Sequence, residues 1–167
     1  MRTELENELI KSFPFMERKN TLEEQEKSGK IYDLYGAFGC DIGDGWFGLL
    51  FDMCKELVDL YATENSEIDI VPVQVKEKFG KLRFYYNIKG NEIGIHALDF
   101  LGVGGLRFSQ SDTELHKKAR NVIRKYEDKS KFVCEVCGCE GELRTDLSWI
   151  LTLCEKHYIE RKNRYKK

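Results

Sequence analysis

The sequence predicts an α+β fold, with helices packed on a small antiparallel sheet and a C-terminal module organised by cysteine and histidine side chains. Three observations carry that expectation. An apolar stripe of helical period runs from Trp46 to Tyr61, two adjoining segments alternate in polarity between Ile70 and Ile88, and two short Cys/His pairs fall between Cys134 and His157. With 167 residues, 41% of them hydrophobic, the chain suits one compact unit with a small appendage. The expected division is a core domain over 1–130, carrying a basic β-hairpin, and a smaller module over 131–167.

Taken in order, Leu5, Leu9 and Ile10 predict a first helix over 2–12, and the polar stretch from Glu17 to Lys30 reads as a surface connection or short exposed helix. Asp41-Ile42-Gly43-Asp44-Gly45 reads as a turn, with Asp44 capping a helix that starts near Trp46. Trp46, Leu50, Met53, Leu57 and Tyr61 share one stripe of that helix, and Phe47, Phe51, Cys54 and Val58 the stripe beside it. Two strands follow, Ile70 to Lys78 and Lys81 to Ile88, joined at Phe79-Gly80. Val71, Val73 and Val75 alternate with polar neighbours in the first, and Leu82, Phe84 and Tyr86 in the second. Pro72 has no N–H to give a ladder, which places it at a sheet edge or a strand start.

Residues 89–110 are glycine-rich and ambiguous in pattern, and read as a long loop with a short strand or helix. Ser111-Asp112-Thr113-Glu114 has the capping-box pattern, and Leu115, Ala119, Val122, Ile123 and Tyr126 form the apolar face of the basic helix it opens. A basic, helix-like tail runs from Glu155 to Lys167.

Composition removes several classes of function. No apolar run approaches the ~18 residues that a membrane helix needs, and the acidic start Met1-Arg2-Thr3-Glu4-Leu5-Glu6 lacks the apolar segment of a secretory signal. A cytoplasmic protein is expected. The net charge of −2 conceals an asymmetry: residues 1–70 hold 7 basic and 16 acidic side chains, residues 71–167 hold 20 and 13. An acidic half of this kind suits a basic partner and a basic half suits anions.

The strongest chemical signal is at the C-terminal end. Cys134 and Cys137 form a C-x2-C pair, and after sixteen residues Cys154 and His157 form C-x2-H. Three thiolates and an imidazole are a tetrahedral Zn2+ set, and all four protein positions are filled, so the expected ion is structural. Gly138 follows the second ligand, where a tight turn uses its freedom at positive φ. Spacing predicts a treble-clef-like or ribbon-like finger. A redox C-x2-C pair and unrelated core cysteines are the competing readings; Cys40 and Cys54 are assigned to the core, and Cys139 is read as a spare, partly buried thiol. A treble-clef finger also occurs in HNH endonucleases, and that resemblance implies a catalytic histidine between the ligand pairs. Residues 138–153 contain none. His96 and His116 read as loop or surface residues, and Asp41, Asp44 and Asp52 as caps or helix-surface groups, so no catalytic residue is assigned.

The hairpin supplies a second signal. With the valines and Leu82, Phe84 and Tyr86 facing the core, the other face gathers Gln74, Lys76, Lys78, Lys81, Arg83 and Tyr85. Lysine and arginine neutralise phosphate and tyrosine stacks on bases, so Lys76, Lys78, Lys81, Arg83 and Tyr85 are the candidate contacts for nucleic acid or a phosphate-bearing nucleotide. A solvated strand face with edge lysines is the plainer reading.

The segments Gly43-Asp44-Gly45-Trp46-Phe47 and Gln74-Val75-Lys76-Glu77-Lys78-Phe79-Gly80-Lys81-Leu82-Arg83-Phe84-Tyr85, with the Cys134 finger, together resemble small uncharacterised proteins of bacteriophages and prophages. The resemblance spans roughly 40–160, brings no activity with it, and implies a phage setting and a regulatory or inhibitory role. The expected function is therefore a non-enzymatic, zinc-stabilised binding or regulatory protein that engages nucleic acid or a nucleotide. A protein-interaction module inhibiting a host factor and a nucleotide-sequestering binder are the alternatives.

Overall fold

The computed structural model describes residues 1–29, 32–90 and 113–164. Helices α1 (Thr3–Ser12), α2 (Leu22–Lys27) and α3 (Leu34–Phe38) precede a short strand β1 (Cys40–Asp41) and the long helix α4 (Phe47–Thr63). Strands β2 (Ile70–Lys78) and β3 (Lys81–Ile88) form the hairpin, followed by α5 (Glu114–Lys129), a small hairpin of β4 (Glu142–Arg144) and β5 (Leu151–Leu153), and α6 (Glu155–Arg164). The mixture of helices with small sheets is that of an α+β protein. His96, Ser111 and most of the 89–110 segment lie outside the described residues, as do Lys30, Lys166 and Lys167.

The larger sheet has the order β1-β2-β3. Its β2–β3 hairpin is antiparallel as expected, whereas β1 runs parallel to β2, pairing Cys40 with Val75 and Asp41 with Lys76. The sheet is thus mixed. A two-residue strand carries no alternation, so nothing in the sequence announced it. Because β1 reaches only Val75 and Lys76, Pro72 sits where β2 has no second neighbour and its missing N–H costs nothing.

The α4 stripe is the core. Trp46, Leu50, Met53 and Leu57 are fully buried and Tyr61 nearly so, against Val75, Leu82 and Phe84 from the hairpin and Ala119, Ile123 and Tyr126 from α5. Burial of that order contributes roughly 1.5–3 kcal/mol per large apolar side chain. The adjoining stripe grades outward from buried Cys54 to exposed Val58. Cys40 is also buried, as assigned from the sequence.

The valines of β2 do not share a face. Pairing slips between Pro72 and Gln74, leaving Val73 as an extra residue, so Ile70 and Pro72 point inward before the slip and Val75 after it. Val71 is consequently exposed. A bulge reverses the alternation that strict period two assumes. The outer edge of β3 is covered: Leu82 N–H donates to Ser130 Oγ (2.9 Å) and Phe84 N–H to Glu127 Oε1 (3.0 Å), with both acceptor residues buried. Side chains from the end of α5 thus satisfy donors that an open edge would offer to another chain.

The hairpin turn itself is strained. Phe79 and Gly80 have φ of 55° and 71°, the positive pair of a type I′ turn. Gly80 suits its place, and a Cβ there would also lie 2.3 Å from Leu143 Cδ1. Phe79 does not, since the left-handed region costs a bulky residue about 1–2 kcal/mol, and its ring is 61% exposed.

Two caps differ from expectation. Asp44 opens a 3-10 turn over Asp44–Trp46 instead of capping α4, whose first residue is Phe47. Its carboxylate accepts from the backbone N–H of Arg2 (2.7 Å) and from Arg2 Nε (2.5 Å), tying down the N-terminal residues. Among the described residues the cap of α5 is Thr113, whose hydroxyl accepts from His116 N–H. In the polar stretch the expected short helix is α2, but it is anchored: Gln25 is fully buried, donating to the carbonyls of Asn20 and Asp33 and accepting from the N–H of Tyr32 and Asp33.

Candidate metal centre

Cys134, Cys137, Cys154 and His157 converge, their donor atoms all lying within 4.8 Å of one another. Cys134 and Cys137 flank a tight turn in which Gly138 N–H donates to Cys134 O (2.9 Å) and Gly138 takes φ 77°. Cys154 is the single residue between β5 and α6, and His157 lies on the first turn of α6, so the strand-to-helix junction delivers the second pair. The helix is held in place by Arg144, which pairs with Glu155 Oε2 (2.9 Å) and lays its guanidinium over the Tyr158 ring at 4.4 Å.

The spacings suit a tetrahedral ion. Metal–sulfur bonds of about 2.3 Å and metal–nitrogen bonds of about 2.0–2.1 Å at tetrahedral angles put sulfurs about 3.8 Å apart and sulfur about 3.5 Å from nitrogen. Cys137 Sγ and Cys154 Sγ are 3.8 Å apart, and His157 Nδ1 is 3.4 Å from Cys134 Sγ and 3.2 Å from Cys154 Sγ. His157 therefore faces the cluster with Nδ1, while Nε2 has the Glu160 carboxylate at 4.0 Å.

Backbone amides act on all three sulfurs, and the thiol is lowered outright at Cys154 alone. Burial pushes the Cys134 thiol up, and the N–H groups of Cys154, Cys137 and Val136 oppose that shift. The His157 N–H holds the Cys154 thiol down to about 7. The set could hold a metal ion.

Cys139 is excluded from the cluster and is exposed, not partly buried. Its contribution is backbone: its carbonyl accepts from Cys134 N–H (2.7 Å) and its N–H points at the Cys137 sulfur.

The cluster is seated on two remote segments. Trp46 Nε1 donates to Val133 O (2.7 Å), Gly45 N–H to Glu135 O (2.8 Å) and Gly43 N–H to Glu135 Oε1 (3.1 Å). A Cβ on Gly45 would lie 2.2 Å from Cys134 O and 2.4 Å from Gly138 N, so only glycine lets the turn approach the ligand loop this closely. From the other side, buried Thr152 donates to Gly80 O (2.6 Å) while its own carbonyl accepts from Glu135 N–H (3.0 Å). Trp149 Nε1 donates to Glu77 Oε2 (2.7 Å), and Glu77 Oε1 accepts from Gly80 N–H. Glu135 lies between these two sets of contacts, and its desolvation, opposed by the Gly43 N–H and reinforced by the Glu77 charge, raises its carboxyl to about 7. Trp46 was read only as a core residue, and Glu135, Thr152 and Trp149 were not singled out. The paired glycines of Gly43-Asp44-Gly45 were the one signal that a backbone had to pass close by.

The register places Lys76 opposite Arg83 and Lys78 opposite Lys81, so these four cations share a face with Gln74 and Tyr85. Lys81 pairs with Asp128 (2.7 Å) and Arg83 with Glu127 (3.6 Å). Lys76 Nζ sits 5.3 Å above the Tyr85 ring, which is 9% exposed and has little face to offer a base. Comparison with family models, curated proteins and solved structures finds no match, so the geometry carries the functional reading alone. Among the described residues, no helix is long and apolar enough to cross a membrane.

Proposed function

We propose that this chain is a non-enzymatic binding protein stapled by one structural Zn2+, and that it engages nucleic acid or a phosphate-bearing nucleotide through the basic hairpin. The observation that carries the zinc assignment is the closed set of three sulfurs and Nδ1 at tetrahedral spacing. Thiolate-rich four-coordinate sets suit zinc, and with no position left for water the ion acts as a cross-link and not as a Lewis acid. A ligand-bearing turn, a small hairpin and a helix carrying the last ligand follow one another, an order that supports a treble-clef-like finger.

Support for the ligand class comes from the register, which groups Lys76, Lys78, Lys81 and Arg83 on one face of the hairpin. Binding of fluorescein-labelled oligothymidine or oligouridine, followed by anisotropy over a salt series, tests it. Affinity should fall linearly on a log–log plot against salt, and the variant K78Q/R83Q should bind more weakly with a flatter slope. Absence of binding at low salt refutes the assignment. Val136 and Ile159, both about half exposed on the metal-bearing segment, favour a second reading in which the partner is a protein. Capture from a host lysate that survives nuclease treatment is the result that reading requires.

A further inference from the structure

We infer that the Phe79 ring at the hairpin tip is a contact surface held out for a base of single-stranded nucleic acid, an inference that rests on the ligand class proposed above. Two independent observations meet at this residue. Its backbone occupies the left-handed region, φ 55°, in a turn where asparagine would sit without strain. Phe79 is 61% exposed, so less than half of the residue packs against the protein. Strain kept at an exposed aromatic position points to a use for the ring outside the fold.

The surroundings specify the partner's chemistry. Lys78 Nζ lies 5.8 Å from the ring centroid, placing positive charge beside the π face. Trp149, 56% exposed, is fixed beside the tip by its bond to Glu77, two residues before Phe79. Ser130 binds the β3 backbone at Leu82, and Phe132, two residues further on, is 68% exposed. Lys81 and Lys131 both pair with Asp128, so two ammonium groups meet one carboxylate there. Exposed rings amid ammonium groups match a strand of stacked bases on a phosphate backbone. Gly80 is packed on Leu143 and bonded to Thr152 and Glu77, so the segment that carries the Cys/His cluster ties down the turn next to the ring.

The test uses the full zinc-loaded chain, labelled oligothymidine and oligouridine, and the variants F79N and F79W. F79N should unfold at a higher denaturant concentration than the parent, because asparagine tolerates the turn, yet bind the oligonucleotides about tenfold more weakly or worse. F79W, which keeps a ring, should bind within about threefold of the parent. Parental affinity in F79N overturns the inference while leaving the broader ligand class standing, since K78Q/R83Q would still weaken binding. Loss of both stability and binding in F79N contradicts the strain argument and overturns it too. A parent chain that binds neither oligonucleotide removes the ligand class itself, and the inference falls with it.

Discussion

Trp46 Nε1 donates a 2.7 Å hydrogen bond to the carbonyl of Val133, joining the residue that leads into the core helix to the one that precedes Cys134 in the Cys/His cluster. The indole is fully buried. A side chain at the centre of the apolar core thus also fixes the backbone from which the metal site is built. Replacing it with phenylalanine keeps the apolar bulk but leaves the Val133 carbonyl without that partner, at a cost of about 1–3 kcal/mol. Urea unfolding of W46F should show this loss, with metal affinity reduced as well. Unchanged affinity would mean that the site is assembled without the core.

Gly45 and Gly48 form a matched pair for the same idea. A Cβ at Gly45 would meet the backbone of Cys134, Cys137 and Gly138, whereas one at Gly48 meets nothing within 4 Å and lies on the exposed side of α4. G45A should destabilise by about 1–3 kcal/mol and weaken metal retention, because backbone atoms cannot step aside as a flexible side chain does. G48A should stabilise by about 0.4–1 kcal/mol, the gain from a less free unfolded chain where alanine fits the native backbone. Chemical denaturation of both variants, with metal released to a colorimetric chelator, separates the outcomes.

The two exposed thiols, Cys137 and Cys139, should differ in consequence. C137S removes one of the four donors and should abolish stoichiometric metal binding or weaken it severely. C139S changes a side chain outside the cluster and keeps the backbone groups that serve Cys134 and Cys137, so its metal content should equal the parent's. Elemental analysis of both proteins decides the ligand set.

Acid should release the N-terminal tie. The Arg2 backbone N–H, assisted by the Arg2 guanidinium, holds the Asp44 carboxyl below its ordinary value. A depressed carboxyl contributes stability above its unfolded pKa and loses it as pH falls through the folded one. The stability difference between the parent and D44A should therefore be constant near neutrality, at about 1 kcal/mol or less for so exposed a pair, and shrink as pH falls below the ordinary carboxylate range. Melting curves of the two proteins across that range measure it.

What was legible in the sequence follows from the range of the interactions involved. The bounds of β2 and β3, the α4 stripe and the four metal donors depend on period and spacing within a short stretch, and each was readable. The inward turn of Pro72 depended on a one-residue slip, and the two-residue β1 exists only through pairing with β2. Asp44 could be read as a helix cap because its competing partner, Arg2, lies 42 residues away. The seating of the metal site was least visible, since Thr152 reaches Gly80 across 72 residues and Gly43 reaches Glu135 across 92. The basic face of the hairpin was legible as a pattern, but not the acidic residues of α5 that pair with Lys81 and Arg83.

Native mass spectrometry of freshly purified protein tests the central claim most directly. The account requires each folded chain to carry the mass of one zinc ion, lost on treatment with a strong chelator together with the compact charge-state distribution. A folded chain at its metal-free mass, unchanged by the chelator, would contradict it.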